Sequence, residues 1–208
     1  MKITDIKGIR LLGKPVGTEK KWEERKRIIF RNNPIYDDLA VLIDKANRNE
    51  LSLAIFKPRE IMDFVVEETE RDWPKDKLSI LKQKANQLSL FQSEEEVKKE
   101  FSVVNKLPYK FSYRFRDGQG KEATLMIEDW EIGALYWNCF KREKGDEKKA
   151  VELVKRKYWT EFRQKDIYLF LGTTKQFHGW AKNPFVIVGV FYPPLEKQPS
   201  LFEPSIQA

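Results

Sequence analysis

The residues best suited to chemistry are a group of carboxylates near the middle of the chain and one aspartate further on. A metal-dependent nuclease needs acidic side chains that converge on one or two metal ions. The candidates are Glu122, Glu128, Asp129, Glu131 and Asp166. Their spacing matches no metal-nuclease signature, and Asp129 is placed to cap a helix. Phosphodiester cleavage is therefore an alternative only, and no catalytic residue, metal ligand or cofactor is predicted.

Other enzyme chemistries have few residues to use. His178 is the only histidine, so it would have to serve any Ser/His/Asp system, and a multi-histidine metal site is excluded. We expect it to be a loop residue or an intermolecular contact. The stretch 172–175 lacks the spacing of a phosphate-binding loop. Cys139, on an apolar helical face, is expected in the core; as the only cysteine it excludes an intrachain disulfide. The sequence favours a binding protein.

A short apolar phrase occurs twice, each time within a polar stretch. Residues 87–91 read QLSLF, and residues 198–202 read QPSLF. Leu-Phe pairs normally belong to a core, whereas the residues around these pairs are unsuited to regular packing. We expect each phrase to be a docking peptide with two apolar anchors and one polar orienting group. Such a peptide loses backbone entropy on binding and is weak on its own.

QLSLF resembles the pentapeptide by which bacterial polymerase and repair proteins dock on the sliding clamp, the ring that holds them on DNA. QPSLF differs from it by Pro199 at the second position. The resemblance covers only these two phrases and implies that each Leu-Phe pair fills an apolar cleft while the glutamine binds in a neighbouring pocket. The partner-binding residues that it implies are Gln87, Leu88, Ser89, Leu90, Phe91, Gln198, Ser200, Leu201 and Phe202.

Two alternatives concern the same phrases. The archaeal and eukaryotic ring-binding peptide also begins with glutamine, but it requires two aromatic residues at positions seven and eight. This chain has Ser93-Glu94 and Ser205-Ile206 there, which favours the bacterial type of clamp. The other alternative is a latch, in which each Leu-Phe pair folds back onto its own domain.

The charge balance indicates a polyanionic partner, DNA or RNA. The chain has 39 Lys and Arg against 32 Asp and Glu, a formal net charge of +7. Nucleic-acid-binding proteins often carry such an excess, although a soluble surface with spare lysines gives the same total. We expect phosphate contacts where cations concentrate in the C-terminal half. The candidates are Lys110, Arg114, Arg116, Lys155, Arg156, Arg163, Lys175 and Lys182, with Lys157 and Lys165 close by in the sequence.

Aromatic residues allow two interpretations. The stretch 109–115, YKFSYRF, alternates aromatic with polar residues and predicts a half-buried strand with a basic outer face. Its rings are either core, which we favour, or a platform on which nucleobases stack. Trp130 and Trp137 share a predicted helical face, and Trp159 lies on the next predicted helix; they are either core, which we favour, or anchors for a partner.

Hydrophobic periodicity predicts the elements that position these residues. Strands are predicted at 3–13, 51–56, 61–66, 109–115, 122–127, 166–174 and 185–192. Helices are predicted at 18–31, at about 39–46, from Asp129 to Gly145, and from Asp146 to about 162. The last two strands are so apolar that we expect them to be central and buried on both faces.

These elements predict an α+β fold with a mixed or antiparallel sheet, helices packed on one face, a mobile charged insertion and a C-terminal tail. The predicted parts are an N-terminal α/β part at 1–66, a linker or insertion with QLSLF at 67–106, a hairpin–helix–helix–hairpin part at 107–194, and a tail with QPSLF at 195–208. The two folded parts could share one sheet.

The composition gives expectations about the cellular location and the source of the protein. No apolar run reaches the length of a signal peptide or membrane span, which favours the cytoplasm. A charged fraction of 34%, rich in Lys, Arg and Glu, is typical of thermophilic proteins. We expect a non-enzymatic accessory protein of DNA replication, repair or genome defence that docks on a sliding clamp. The alternatives are a metal-dependent nuclease recruited by the clamp and a structural subunit of a larger nucleoprotein defence complex.

Overall fold

In the part of the chain that the structure describes, helices and two β-sheets share one hydrophobic core. The computed structural model describes residues 22–31, 33–74, 79, 105–174, 177–178 and 181–195. The helices are α1 (Trp22–Phe30), α2 (Leu39–Asn47), α3 (Trp130–Arg142) and α4 (Glu147–Lys155), followed by a π-helical turn (Arg156–Glu161) and a 3-10 turn (Phe162–Gln164). The strands are β1 (Ile35–Tyr36), β2 (Leu53–Phe56), β3 (Glu60–Glu68), β4 (Tyr109–Arg116), β5 (Glu122–Met126), β6 (Tyr168–Thr173) and β7 (Phe185–Phe191).

The sheets confirm the predicted α+β class. One sheet has the order β1-β2-β6-β7 and the other the order β3-β4-β5. All neighbouring strands are antiparallel except the short pair β1 and β2. Strand β2 pairs with β6, and β3 pairs with β4, so each sheet combines strands from both predicted folded parts. The two parts therefore share two sheets.

Short polar residues fix the ends of α3 and α4 as the sequence predicts. The Asp129 carboxylate accepts from the backbone N–H of Glu131 at 2.9 Å, and Asp146 accepts from that of Lys149 at 3.0 Å. Gly145 has a φ of +90° after the end of α3, a conformation that glycine adopts without strain. Among the described residues, no helix has the length and apolar character needed to cross a bilayer.

The rings of β4 belong to the core. Phe111, Tyr113 and Phe115 are at most 1% exposed. Phe115 packs on Phe56 with ring centroids 5.3 Å apart, and Tyr113 packs on Phe64 at 5.6 Å. The favoured core interpretation is confirmed, and a base-stacking platform on this strand is wrong because neighbouring aromatic rings cover the face that it would need.

Strand β7 corrects the expectation of two central strands. Strand β6 lies between β2 and β7, whereas β7 ends the order of strands in its sheet. Val188 on β7 is 41% exposed. On the outer face of this sheet α1 packs through Trp22 on Phe191 and Phe30 on Tyr168. Because α1 is short, part of that apolar face stays open.

The predicted insertion begins and ends at neighbouring points. The backbone N–H of Thr69 donates to the carbonyl of Pro108 at 2.9 Å, and the Thr69 hydroxyl donates to the Leu107 carbonyl at 3.3 Å. The segment between Thr69 and Pro108 is therefore the connection of the β3–β4 hairpin. Residues 87–91 and 198–202, which carry the repeated phrase, lie outside the described residues, as does the strand predicted at 3–13.

Candidate functional site

Three of the predicted phosphate-binding cations have acidic partners. The pairs are Lys110–Glu67 at 3.0 Å, Arg116–Glu60 at 3.1 Å, Arg116–Glu122 at 2.9 Å and Arg156–Glu161 at 4.0 Å. The first three pairs join residues directly opposite one another on adjacent strands. The predicted basic outer face of β4 is therefore largely neutralised, and only Arg114 on that strand is exposed without an ion pair to a described residue.

The remaining predicted cations are scattered, with one exception. Lys155 and Lys182 are exposed and form no ion pair with a described residue, and they lie apart on α4 and on the β6–β7 connection. Lys175 lies outside the described residues. Arg163 differs, because it lines a cavity together with other cations.

This cavity, here called the cationic pocket, has a volume of about 300 Å³ and lies beside the β2–β3 connection. Its charged lining residues are Lys57, Arg59, Glu60, Arg163, Lys165 and Asp166. Glu60 is paired with Arg116 and Asp166 with Lys57. Arg59, Arg163 and Lys165 are exposed and form no ion pair within the described part of the chain. The pocket therefore carries a net positive charge.

Lys57 and Asp166 hold the pocket together. Because β2 pairs with β6, the residue that follows β2 lies beside the residues that precede β6. The Lys57 ammonium donates to the Asp166 carboxylate and to the Ile167 carbonyl, the latter at 3.0 Å. It also lies 4.2 Å from the ring centre of Tyr168, whose hydroxyl donates to Asp166 at 3.0 Å. These contacts fix the backbone from which the neighbouring cations project.

Local contacts hold the three cations that lack an ion pair to a described residue, Arg59, Arg163 and Lys165. The N–H of Arg59 donates to the Arg116 carbonyl at 2.9 Å, and a β-bridge joins Lys165 to Pro194. The Arg163 guanidinium lies 4.6 Å from the ring centre of Trp159, a cation–π contact that orients it. Guanidinium and ammonium groups form charge-assisted hydrogen bonds with phosphate. The arrangement is suited to binding an anionic group.

Three of the five carboxylates of the nuclease alternative serve structural roles. Glu122 pairs with Arg116, Asp166 pairs with Lys57, and Asp129 caps α3. Burial raises the pKa of Asp129 above its ordinary value, and the hydrogen bond from the N–H of Glu131 offsets part of this rise. In the described ranges, no three or more His, Cys, Asp or Glu side chains are grouped so that they could hold a metal ion.

His178 is a loop residue and Cys139 is a core residue, as the sequence favours. The two ring nitrogens of His178 lie 2.9 Å from the Thr173 hydroxyl and 2.8 Å from the Asn49 side-chain oxygen, so this loop residue ties two connections together. Cys139 is buried on α3.

Sequence reasoning named Arg163 and Lys165 but missed Lys57 and Arg59. The missed pair stands in Lys57-Pro58-Arg59, directly after a predicted strand. The only available signal was that cations follow one strand and precede another. That signal points to a shared site only when β2 and β6 are known to pair.

No curated protein and no solved structure matches this chain. One family model matches residues 36–206, a range that begins within β1 and includes β2 to β7 and both Q-x-S-L-F phrases. Since this range is most of the chain, the protein belongs to the family described as a domain of unknown function, DUF8757.

Proposed function

We propose that this protein is a cytoplasmic, nucleic-acid-associated accessory factor of DNA replication, repair or genome defence. It binds the nucleic-acid backbone at the cationic pocket and docks on a sliding clamp through its two Q-x-S-L-F phrases. The observation that carries the proposal is the cluster of Arg59, Arg163 and Lys165, which face one cavity without an acidic partner among the described residues. A phosphate bound there would supply the missing negative charge.

Binding to the nucleic-acid backbone through only three cations is weak and independent of the nucleotide sequence. Three phosphate contacts are fewer than the 6–10 contacts of a strongly salt-dependent DNA-binding protein. A protein with such a pocket needs a second attachment to remain on DNA. A docking peptide supplies it, since a tether converts the second binding event into an intramolecular one.

The described residues give the two phrases separate points of attachment. QLSLF lies in the connection that leaves β3 at Thr69 and returns at Pro108. QPSLF begins three residues after Leu195, which is 62% exposed and lines the cationic pocket. The pocket also includes Glu60 and Ile61 at the start of β3, so the two attachment points lie at opposite ends of that strand. A nine-residue strand spans about 30 Å. This separation of the attachment points supports the proposal that the two phrases occupy two clefts rather than compete for one.

The test measures binding of the full chain to the sliding clamp of its host. Replacing Leu90 and Phe91 with alanine removes the anchors of the first phrase, and replacing Leu201 and Phe202 removes those of the second. We expect each double variant to bind more weakly and the combined variant to lose binding, with DNA affinity unchanged in all three. Ile206→Ala, an apolar change in the same tail outside the phrase, is the matched control.

Two results would contradict the clamp proposal. One is undiminished binding by the combined variant, and the other is no binding by the unaltered chain. A stable stoichiometric complex purified from the host without any clamp would indicate a structural subunit instead.

A further inference from the structure

A second cavity, here called the aromatic pocket, lies between α1, the outer face of β7 and the beginning of α3. Its volume is about 480 Å³, within the range of small-molecule sites. The aromatic side chains that line it are Trp22, Trp130, Phe170, Phe191 and Tyr192. It lies on a part of the outer sheet face that α1 leaves open.

Trp130 is the exposed wall of the aromatic pocket. It is 74% exposed, more than any other large apolar side chain in the described ranges. Trp137, on the same helix, instead packs on Tyr136 with ring centroids 5.0 Å apart. Trp22 forms a second wall and is held by Phe191 at 5.5 Å and Tyr192 at 5.6 Å. The pocket thus has one supported ring and one ring that is open to a ligand.

The polar lining favours a ligand that can donate hydrogen bonds. Asp129, Glu131 and Arg25 line the pocket beside the aromatic rings. An aliphatic side chain placed there would desolvate carboxylates without pairing them, which is unfavourable. A nucleobase presents a flat face for stacking and, in cytosine or adenine, an exocyclic amino group that a carboxylate can accept from.

The aromatic pocket and the cationic pocket are joined by a short series of contacts. Lys57 in the cationic pocket lies 4.2 Å from the ring centre of Tyr168. The Tyr168 ring lies 6.2 Å from that of Phe191, which contacts Trp22 at 5.5 Å. Lys57 and Trp22 thus belong to one connected group of rings, and a bound strand would pass over this group from one pocket to the other.

We propose that the aromatic pocket receives an unpaired, amino-bearing nucleobase of a single strand whose backbone lies at the cationic pocket. The proposal rests on the proposed function and adds to it a preference for single strands. In a duplex both faces of each base are already stacked, so a base must be unpaired to enter. Arg163 and Lys165 hold the backbone, while Trp130 and Trp22 hold the base.

The test compares two oligomers of equal length and charge on the full chain. One is a deoxycytidine oligomer of about ten nucleotides, within the site sizes of single-strand binding folds. The other has the same sugar-phosphate backbone without bases. We expect the unaltered chain to bind the first about tenfold more tightly, a difference of about 1.4 kcal/mol, which is within the range for one stacked base. A cytidine RNA oligomer shows whether ribose is accepted equally.

Trp130→Ala is the decisive variant, because Trp130 is 74% exposed and lies outside the hydrophobic core. We expect it to lose most of the preference for the first oligomer, with the salt dependence of the unaltered chain, because it removes the open stacking ring and leaves every phosphate contact. The quenching of tryptophan fluorescence that a stacked base causes should also decrease, since Trp22 then faces the base alone. Leu53→Ala is the matched control, since Leu53 is 71% exposed on the same sheet and does not line the aromatic pocket.

Failure of this proposal differs from failure of the proposed function. Equal binding of both oligomers by the unaltered chain would overturn the base pocket and leave backbone binding intact. Binding of neither oligomer would overturn both. A change of oligomeric state in Trp130→Ala would make the aromatic pocket a self-association surface and also overturn the proposal.

Discussion

The cationic pocket can be tested through the salt dependence of nucleic-acid binding. The perturbation is the double variant Arg163→Ala/Lys165→Ala, which leaves Arg59 as the only pocket cation without an ion pair among the described residues. For single strands, the slope of log affinity against log salt is about −0.7 for each neutralised phosphate. Three contacts give a slope of about −2.1, and one contact gives about −0.7.

These slopes predict a measurable difference. A fourfold rise in salt should weaken the unaltered chain by about 18-fold and the double variant by only about 2.6-fold. Fluorescence anisotropy with a labelled oligonucleotide over a series of salt concentrations measures both values. Circular dichroism checks that the loss of the Arg163–Trp159 contact leaves the fold intact.

A second double variant provides the matched control. Lys155→Ala/Lys182→Ala removes the same net charge from exposed positions outside the cationic pocket. We expect its slope to remain close to that of the unaltered chain. Equal slopes in both double variants would refute the reasoning, because binding would then follow overall charge and not the pocket.

Two further predictions concern stability and pH. The Tyr113 hydroxyl donates to the Tyr158 carbonyl at 2.5 Å in the core, whereas the buried Tyr136 hydroxyl has no hydrogen-bond partner among the described residues. In urea denaturation Tyr113→Phe should therefore lower the free energy of unfolding by about 1 kcal/mol and Tyr136→Phe should not lower it; equal losses would contradict this. The Arg71 guanidinium, through a bidentate contact at 2.5 and 2.8 Å, lowers the pKa of Glu147. The stabilisation by this ion pair is therefore present above the ordinary carboxyl pKa and is lost as pH falls through the lowered pKa. In thermal unfolding, Glu147→Gln should be less stable than the unaltered chain at neutral pH and equally stable in strong acid. A difference in stability that persists in acid would contradict the assignment.

Local signals predicted the elements well, because their causes are local. The caps at Asp129 and Asp146 and the stop at Gly145 each depend on a few neighbouring residues. The alternation in 109–115 predicted which side chains of β4 enter the core. The order of a hairpin, two helices and a second hairpin followed from the same patterns.

The candidate site depends on pairings that local patterns do not contain. Lys110 and Arg116 looked free in the sequence, and only the strand register places glutamates opposite them. The cationic pocket likewise requires residues that are 109 positions apart, Lys57 and Asp166, to be neighbours.

The pairing of β2 with β6 has a consequence for synthesis of the chain. Lys57 leaves the ribosome 109 residues ahead of Asp166, its neighbour in the finished protein. At about 5–20 residues per second, β2 waits about 5–20 s before β6 has been made. During that interval the nascent chain presents an apolar strand with an open edge, the kind of surface that chaperones shield and that aggregates when left uncovered. Completion of the sheet that contains β2 is thus postponed until β6 has been synthesised.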